Sequence, residues 1–422
     1  MRSITASKTS AALASMFRPM MLWAAALALA ASGCGGAGEE PVASWTAAWT
    51  TSMMAPDPEV LDFESRSFSD ETLRQQVEVT ASGDRVRLRI SNLFGSQPLE
   101  IAEVRVARAV SPLATAPDTD RPVFFAGKPN VTIPAAAEVL SDGVEFEVNQ
   151  GDRLAVSIYV SKPSEPATWH PFLTTTSAVA EGNQAASPSF SAPVELTSGY
   201  WLAGADVLSA TTDKVIVAFG DSITDGSSTT IDGRKRYSDR LFARLQADPE
   251  TKTIAVVNHG LGGNRLLRDS IGPSGISRFE RDVLGTPGVS HVVVLIGIND
   301  IGMPGFVGPS EQVTADEIIG GLESLAVKAR SRGVKAFVGT LLPFEDAFPP
   351  YYTPEGEVKR QAVNEWIRGS SAYDGVIDFD AAVRDPGQPS KLLASFDSGD
   401  HLHPNDAGHE AMASAVPLSF FK

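Results

Sequence analysis

Between about Trp45 and Leu208 the apolar positions recur every second residue: Val77 and Val79, then Val86, Leu88 and Ile90, then Leu154, Val156, Ile158 and Val160, with polar residues between them. Successive side chains on a strand point to opposite faces, so this period predicts strands with one buried face. Ala81-Ser82-Gly83-Asp84 reads as a turn joining two of them. Breaks at Pro98, Gly127-Lys128-Pro129, Pro134 and Gly143 divide the rest into short strands without helical stretches. Strands of this kind bury their apolar faces as two stacked antiparallel sheets, which predicts an all-β, jelly-roll-like sandwich over residues 45–210.

After Thr211 the pattern changes. Val215-Ile216-Val217-Ala218-Phe219 is apolar without alternation, as are Ile254 to Val257, His291 to Ile296 and Val334 to Val338. Continuous apolar strands belong in a sheet covered on both faces. Amphipathic stretches alternate with them at Tyr237 to Leu245, Ala315 to Arg332 and Pro354 to Ile367. The alternation predicts a three-layer α/β/α domain over 211–422 with a mainly parallel sheet. Ligands of such sheets bind beyond the carboxyl ends of the strands, so the segments that follow each strand are the ones to search.

Length and composition change the picture in two ways. A chain of 422 residues exceeds what one hydrophobic core usually supports, which agrees with two domains. A formal net charge of −16 excludes nucleic acid as a partner and favours an uncharged or cationic substrate. The first 34 residues read as a targeting segment: Arg2, Lys8 and Arg18 precede an apolar run from Met20 to Ala30 that is short for a membrane span. It ends in Ala31-Ser32-Gly33-Cys34, which resembles the lipobox of bacterial lipoproteins, with Ala31 where Leu is usual. Cys34 is the only cysteine, so no internal disulfide forms, and lipidation gives the thiol a role. The expectation is an extracytoplasmic lipoprotein of the bacterial cell envelope, membrane-anchored at Cys34 and followed by a tether over 35–44. The alternative is a plain signal peptide and a secreted protein.

Four post-strand segments carry candidate chemistry. The first strand runs into Gly220-Asp221-Ser222-Ile223-Thr224-Asp225-Gly226, which sets a serine at a strand-to-helix junction. There the helix dipole and the serine N–H both favour a developing oxyanion, although an N-cap serine would satisfy the same pattern. Near the C-terminus stands Asp400-His401-Leu402-His403-Pro404-Asn405, before an amphipathic helix that Pro404 is placed to start. The spacing of Asp400 and His403 lets the carboxylate hold Nδ1 of the imidazole, leaving Nε2 to take a serine proton. His401, the rival base, is expected on the other side of the turn, and a metal site on His401, His403 and His409 lacks a recognised ligand pattern. Between these ends lie Asn258-His259-Gly260-Leu261-Gly262-Gly263-Asn264-Arg265 and Gly297-Ile298-Asn299-Asp300, loops whose glycine N–H and asparagine amide suit an oxyanion, or which are simply capped turns.

Together, in this order, the four segments resemble the four sequence blocks of the SGNH/GDSL hydrolases, over about half of the chain from Lys214 onward. The resemblance implies a flavodoxin-like hydrolase domain in which Ser222 is the nucleophile, Asp400 and His403 are acid and base, and Ser222, Gly263 and Asn299 form the oxyanion hole. Gly262 adjoins Gly263 and is the other candidate. Asp221 is expected to order the turn. The implied reaction is ester hydrolysis through an acyl-enzyme, with no metal and no cofactor. A small-molecule or polysaccharide ester is the expected substrate, with short-chain or acetyl esters, including those of carbohydrates, first. Lipase, lysophospholipase or arylesterase activity is the alternative, and a non-catalytic surface-binding lipoprotein the reading from another class. The aromatic loop from Pro343 to Tyr352 is either a pocket wall or a surface loop packed by its own rings, and Trp45, Trp49, Trp169 and Trp201 are core residues or sugar-stacking platforms.

Overall fold

The computed structural model describes residues 42–56 and 65–422. The expected targeting segment, the lipidation candidate Cys34 and the tether up to residue 41 lie outside the described residues. The alternating segments form two antiparallel sheets. One runs in the order Ser44–Thr50, Leu202–Ser209, Gly83–Asn92 and Ala137–Leu140, with Val144–Val148 also paired to Gly83–Asn92. The other runs Val194–Leu196, Ser177–Glu181, Glu71–Glu78, Arg153–Val160, Glu103–Arg108 and Arg121–Val123. The turn at Ala81 to Asp84 therefore passes the chain from one sheet to the other.

The expectation of one buried face fails for the two central strands of the second sheet. Glu71–Glu78 and Arg153–Val160 are buried nearly throughout, because the return segment between Glu181 and Leu202 folds over their outer face. Arg74 there donates to the carbonyls of Ser187 at 2.6 Å and Pro188 at 3.2 Å, while on the inner face, beside Leu73 and Val77, Gln75 donates to the Tyr200 carbonyl at 3.0 Å. Polar side chains tolerate such burial when carbonyl oxygens satisfy them.

The apolar runs after Thr211 form a five-stranded, wholly parallel sheet in the order Ala255–Gly260, Val215–Gly220, Val289–Leu295, Lys335–Gly339 and Gly375–Ile377. Helices complete a three-layer α/β/α arrangement, with Tyr237–Ala247 packed on Asp406–Ala415 and Ala315–Ser331 on Pro354–Gly369. The strand order reverses at Val215–Gly220, whose neighbours are the next two strands of the sheet in sequence. Its carboxyl end is thus the topological switch point where ligands bind in open parallel sheets. Among the elements that escape the sequence pattern are the short strand Gly375–Ile377 and the helix Gly275–Phe279 continued by a π-helical turn at Glu280–Leu284. The last helix starts at Asp406, not at Pro404. Asn405 is its N-cap, accepting from the N–H groups of Ala407 and Gly408, a better start than proline offers because it satisfies two orphan donors.

The described residues form one compact unit, and its apolar core is continuous from Ala47 through Phe219 to Phe421. The first strand sits against the parallel sheet: Ala47 N–H donates to the Pro287 carbonyl at 3.0 Å and Thr50 Oγ1 to the Asn258 carbonyl at 3.0 Å.

Candidate active site

The fully buried strand Val215–Gly220 ends at Asp221, which caps a single helical turn, Ser222–Asp225, by accepting from Ile223 N–H at 3.0 Å. Ser222 is the first residue of that turn and lies at the switch point. Its Oγ is 2.8 Å from Nε2 of His403, and Nδ1 of His403 is 2.6 Å from Asp400 Oδ2. Asp400 Oδ1 also accepts from the N–H groups of His403 at 2.8 Å and Leu402 at 3.0 Å. Burial pushes the Asp400 carboxyl up, but the His403 imidazole and these N–H groups outweigh it and hold the group well below the usual carboxylate range.

His401 turns away from this series. Its ring faces Asp397, Nδ1 to Oδ2 at 2.5 Å, and its backbone takes the left-handed region at φ +63. His409 is buried, and its Nδ1 accepts from Tyr237 N–H at 3.1 Å. The three histidines therefore point to separate partners, and among the described residues no group of three His, Cys, Asp or Glu side chains is disposed to hold a metal ion.

Asn299 lies on the short helix Ile298–Gly302 and is buried. Its Nδ2 donates to the Asn264 carbonyl at 3.0 Å, which joins the two glycine-and-asparagine loops. Asp300 strengthens that junction, accepting from Leu266 N–H at 2.6 Å and Leu267 N–H at 3.0 Å. Burial raises its pKa to about 6 against the pull of those N–H groups. Gly263, rather than Gly262, takes the left-handed conformation, at φ +68, and a Cβ there would stand 2.3 Å from the Ile271 side chain. Only glycine meets both conditions.

Several residues that position the site have no counterpart in the sequence reading. Arg278, buried, donates to the Gly220 carbonyl at 2.6 Å, the His259 carbonyl at 2.8 Å, Asn264 Oδ1 at 2.9 Å, Ser52 Oγ at 2.9 Å and Asp282 Oδ2 at 3.0 Å. One guanidinium thus ties the strand that precedes Ser222 and the loop that carries Gly263 to the first strand's end. The available signal was the Arg278 and Asp282 pair at i, i+4 among apolar Phe279 and Val283. His170 of the sandwich, also buried, places Nε2 3.0 Å from Asp225 Oδ1 and Nδ1 2.8 Å from the Ser52 carbonyl. Burial pushes this imidazole down, but Asp225 outweighs it and the net direction is up.

The aromatic loop is packed by its own rings: Phe344 and Tyr351 are buried, with Phe344 edge-on to Tyr352 at 5.1 Å, while Phe348 is exposed beside Phe306. Trp169 and Trp201 are buried and Trp45 and Trp49 half-buried, so all four serve the sandwich core or its margin.

A hydroxyl bonded to an imidazole that is bonded in turn to a carboxylate, at the switch point of a parallel sheet, is the constellation of the serine hydrolases, which is recognised by geometry and not by sequence order. Residues 218–411 match the model of the GDSL-like Lipase/Acylhydrolase family. Solved structures similar to it include a lipolytic protein of the G-D-S-L family from Desulfitobacterium hafniense, at 23% identity over 48% of this chain and 97% of that one, with a TM-score of 0.36. An acetyl xylan esterase from Geobacillus stearothermophilus is 24% identical over 50% of this chain and 94% of that one, with a TM-score of 0.38. The aryl esterase of M. smegmatis is 19% identical over 48% and 95%, with a TM-score of 0.38. No curated protein matches the chain.

Proposed function

We propose that this hydrolase cleaves carboxylic esters by two-step acyl transfer on Ser222. Ser222 Oγ attacks the ester carbonyl as His403 takes its proton, His403 returns that proton to the leaving alcohol, and water activated by His403 then releases the acid. Asp400 holds the imidazole tautomer and stabilises the imidazolium. The oxyanion is met by the N–H groups of Ser222 and Gly263 and by the Asn299 amide. The observation that carries this reading is the unbroken series from Ser222 Oγ through His403 to Asp400, at 2.8 and 2.6 Å.

Short-chain or acetyl esters of uncharged alcohols, acylated carbohydrates among them, are the first substrate class, in keeping with a net charge of −16 that disfavours polyanions. A second reading, acyl lipids or aryl esters, is favoured by Phe306 and Phe348, 48% and 44% exposed, whose rings lie 5.9 Å apart beside Tyr351. The enzyme acts outside the cytoplasm, anchored through Cys34, a reading supported by the sequence of residues 1–34. Turnover of p-nitrophenyl esters from acetate to palmitate, alongside acetylated xylan, tests the substrate classes. Ser222→Ala is expected to reduce turnover of every cleaved ester by about a thousandfold or more. Residual activity within about tenfold of wild type, on that scale, overturns the nucleophile.

A further inference from the structure

An amide can serve an oxyanion only if it presents nitrogen and not oxygen, and its two ends have nearly the same shape. Asn299 is held so that the choice is made. The Asn264 carbonyl, 3.0 Å away, can only accept, which assigns Nδ2 to that side. Oδ1 then faces the Tyr351 hydroxyl at 2.8 Å, which must donate. A primary amide carries two N–H groups, and Asn264 takes one of them. We infer that Tyr351 is the positioning residue of the oxyanion amide, fixing Asn299 so that its second N–H is aimed at the developing charge. This inference rests on the oxyanion role proposed above for Asn299.

The surroundings are built for the purpose. Tyr351 is 2% exposed, and its ring lies flat against the helix that carries Asn299: a Cβ on Gly302 would stand 2.5 Å from it. Phe344 at 6.1 Å and Phe348 at 5.2 Å hold the same ring from other sides. Burial first, and then the carboxylates of Asp221, Asp300 and Asp400, keep the phenol protonated well above its ordinary range, so the donor persists at every working pH. The aromatic loop from Pro343 to Tyr352 thereby acts through its buried ring on the catalytic loop of Asn299, and not as a substrate wall at this point.

The test is a double-mutant cycle on p-nitrophenyl acetate, with kcat, KM and melting temperature measured for Tyr351→Phe, Asn299→Ala and the pair. Tyr351→Phe keeps the shape of the packed ring, so its folding is not at stake. It is expected to lower kcat about tenfold, the order of loss that a small misplacement of a reacting group produces, with KM changed less than about twofold. Asn299→Ala is expected to lower kcat by about a hundred- to a thousandfold. Adding Tyr351→Phe to it should then change nothing further. Wild-type kcat in Tyr351→Phe overturns the inference, as does an equal fractional loss in both backgrounds, which marks a structural role, or a rise in KM alone, which marks a pocket wall. Near-normal kcat in Asn299→Ala instead overturns the oxyanion reading itself, and the inference with it.

Discussion

Asp221 shows how one side chain can order the turn that carries Ser222 at a cost that depends on pH. One carboxylate oxygen caps Ile223, while the other is buried without a hydrogen-bond partner. Burial raises its pKa from 3.8 to about 7, against the pull of the Ile223 N–H and of His403. A folded-state value above the unfolded one means that the native chain holds the proton more tightly. Asp221 therefore destabilises the fold increasingly as pH rises from about 4 to about 7, and by a constant amount above that. Asn keeps the capping oxygen and never ionises. The melting temperature of Asp221→Asn should match wild type near pH 4 and exceed it at pH 8, and a difference independent of pH would contradict the assignment. At this scale a pairing was legible where the partners are close in sequence, as with Asp400 and His403. Arg278 was not, because its acceptors at Gly220, Asn264 and Ser52 come from three separate segments.

The elements around the site are tied by side chains that do two tasks at once. Asn405 caps the last helix through Oδ1, while its Nδ2 donates to the Ser395 carbonyl at 3.1 Å and the Asp397 carbonyl at 3.0 Å. The loop between those carbonyls and the helix carries Asp400 and His403. Asn405→Ala should cost about 1 to 2 kcal/mol in urea unfolding, the usual worth of an N-cap. On the proposed mechanism it should also lower kcat, because His403 is no longer held in place; loss of stability with kcat intact would show that the loop stands without this tether. Strands and long helices were readable from period and burial. The π-helical turn at Glu280–Leu284 and the cover over Glu71–Glu78 were not, since each depends on what lies against it in space.

Across the described residues, the sandwich and the parallel sheet share one core, and buried polar contacts from Ser52 and His170 cross between them to the segments around Ser222. Ser52 Oγ accepts from Arg278 and donates to Asp282 at 2.9 Å, and His170 meets Asp225. Arg278 and Asp282 are desolvated charges that pair with each other and share Ser52 as a further partner, so removing the sandwich would take away that partner and expose the pair to water. Calorimetry of residues 42–422 should show one cooperative transition rather than two, and residues 211–422 expressed alone should be inactive or insoluble. Two separated transitions, or an active fragment, would refute this coupling.

The chain's own pattern settles where the longer strands and helices lie, because a period of two or a continuous apolar run is a local demand for a buried face. It settles as well where chemistry belongs in a parallel sheet, since the residues after each strand are consecutive with it. It does not settle which side chains meet. Ser222 and His403 stand 181 positions apart and are joined at 2.8 Å because the last helix packs on Tyr237–Ala247 and brings the loop before it to the end of the strand that leads to Ser222. The hold of Tyr351 on Asn299, and of Arg278 on the end of the strand that leads to Ser222, likewise arise from packing. A buried donor or charge takes whichever acceptor the fold brings within reach, and spacing along the chain carries no record of that choice.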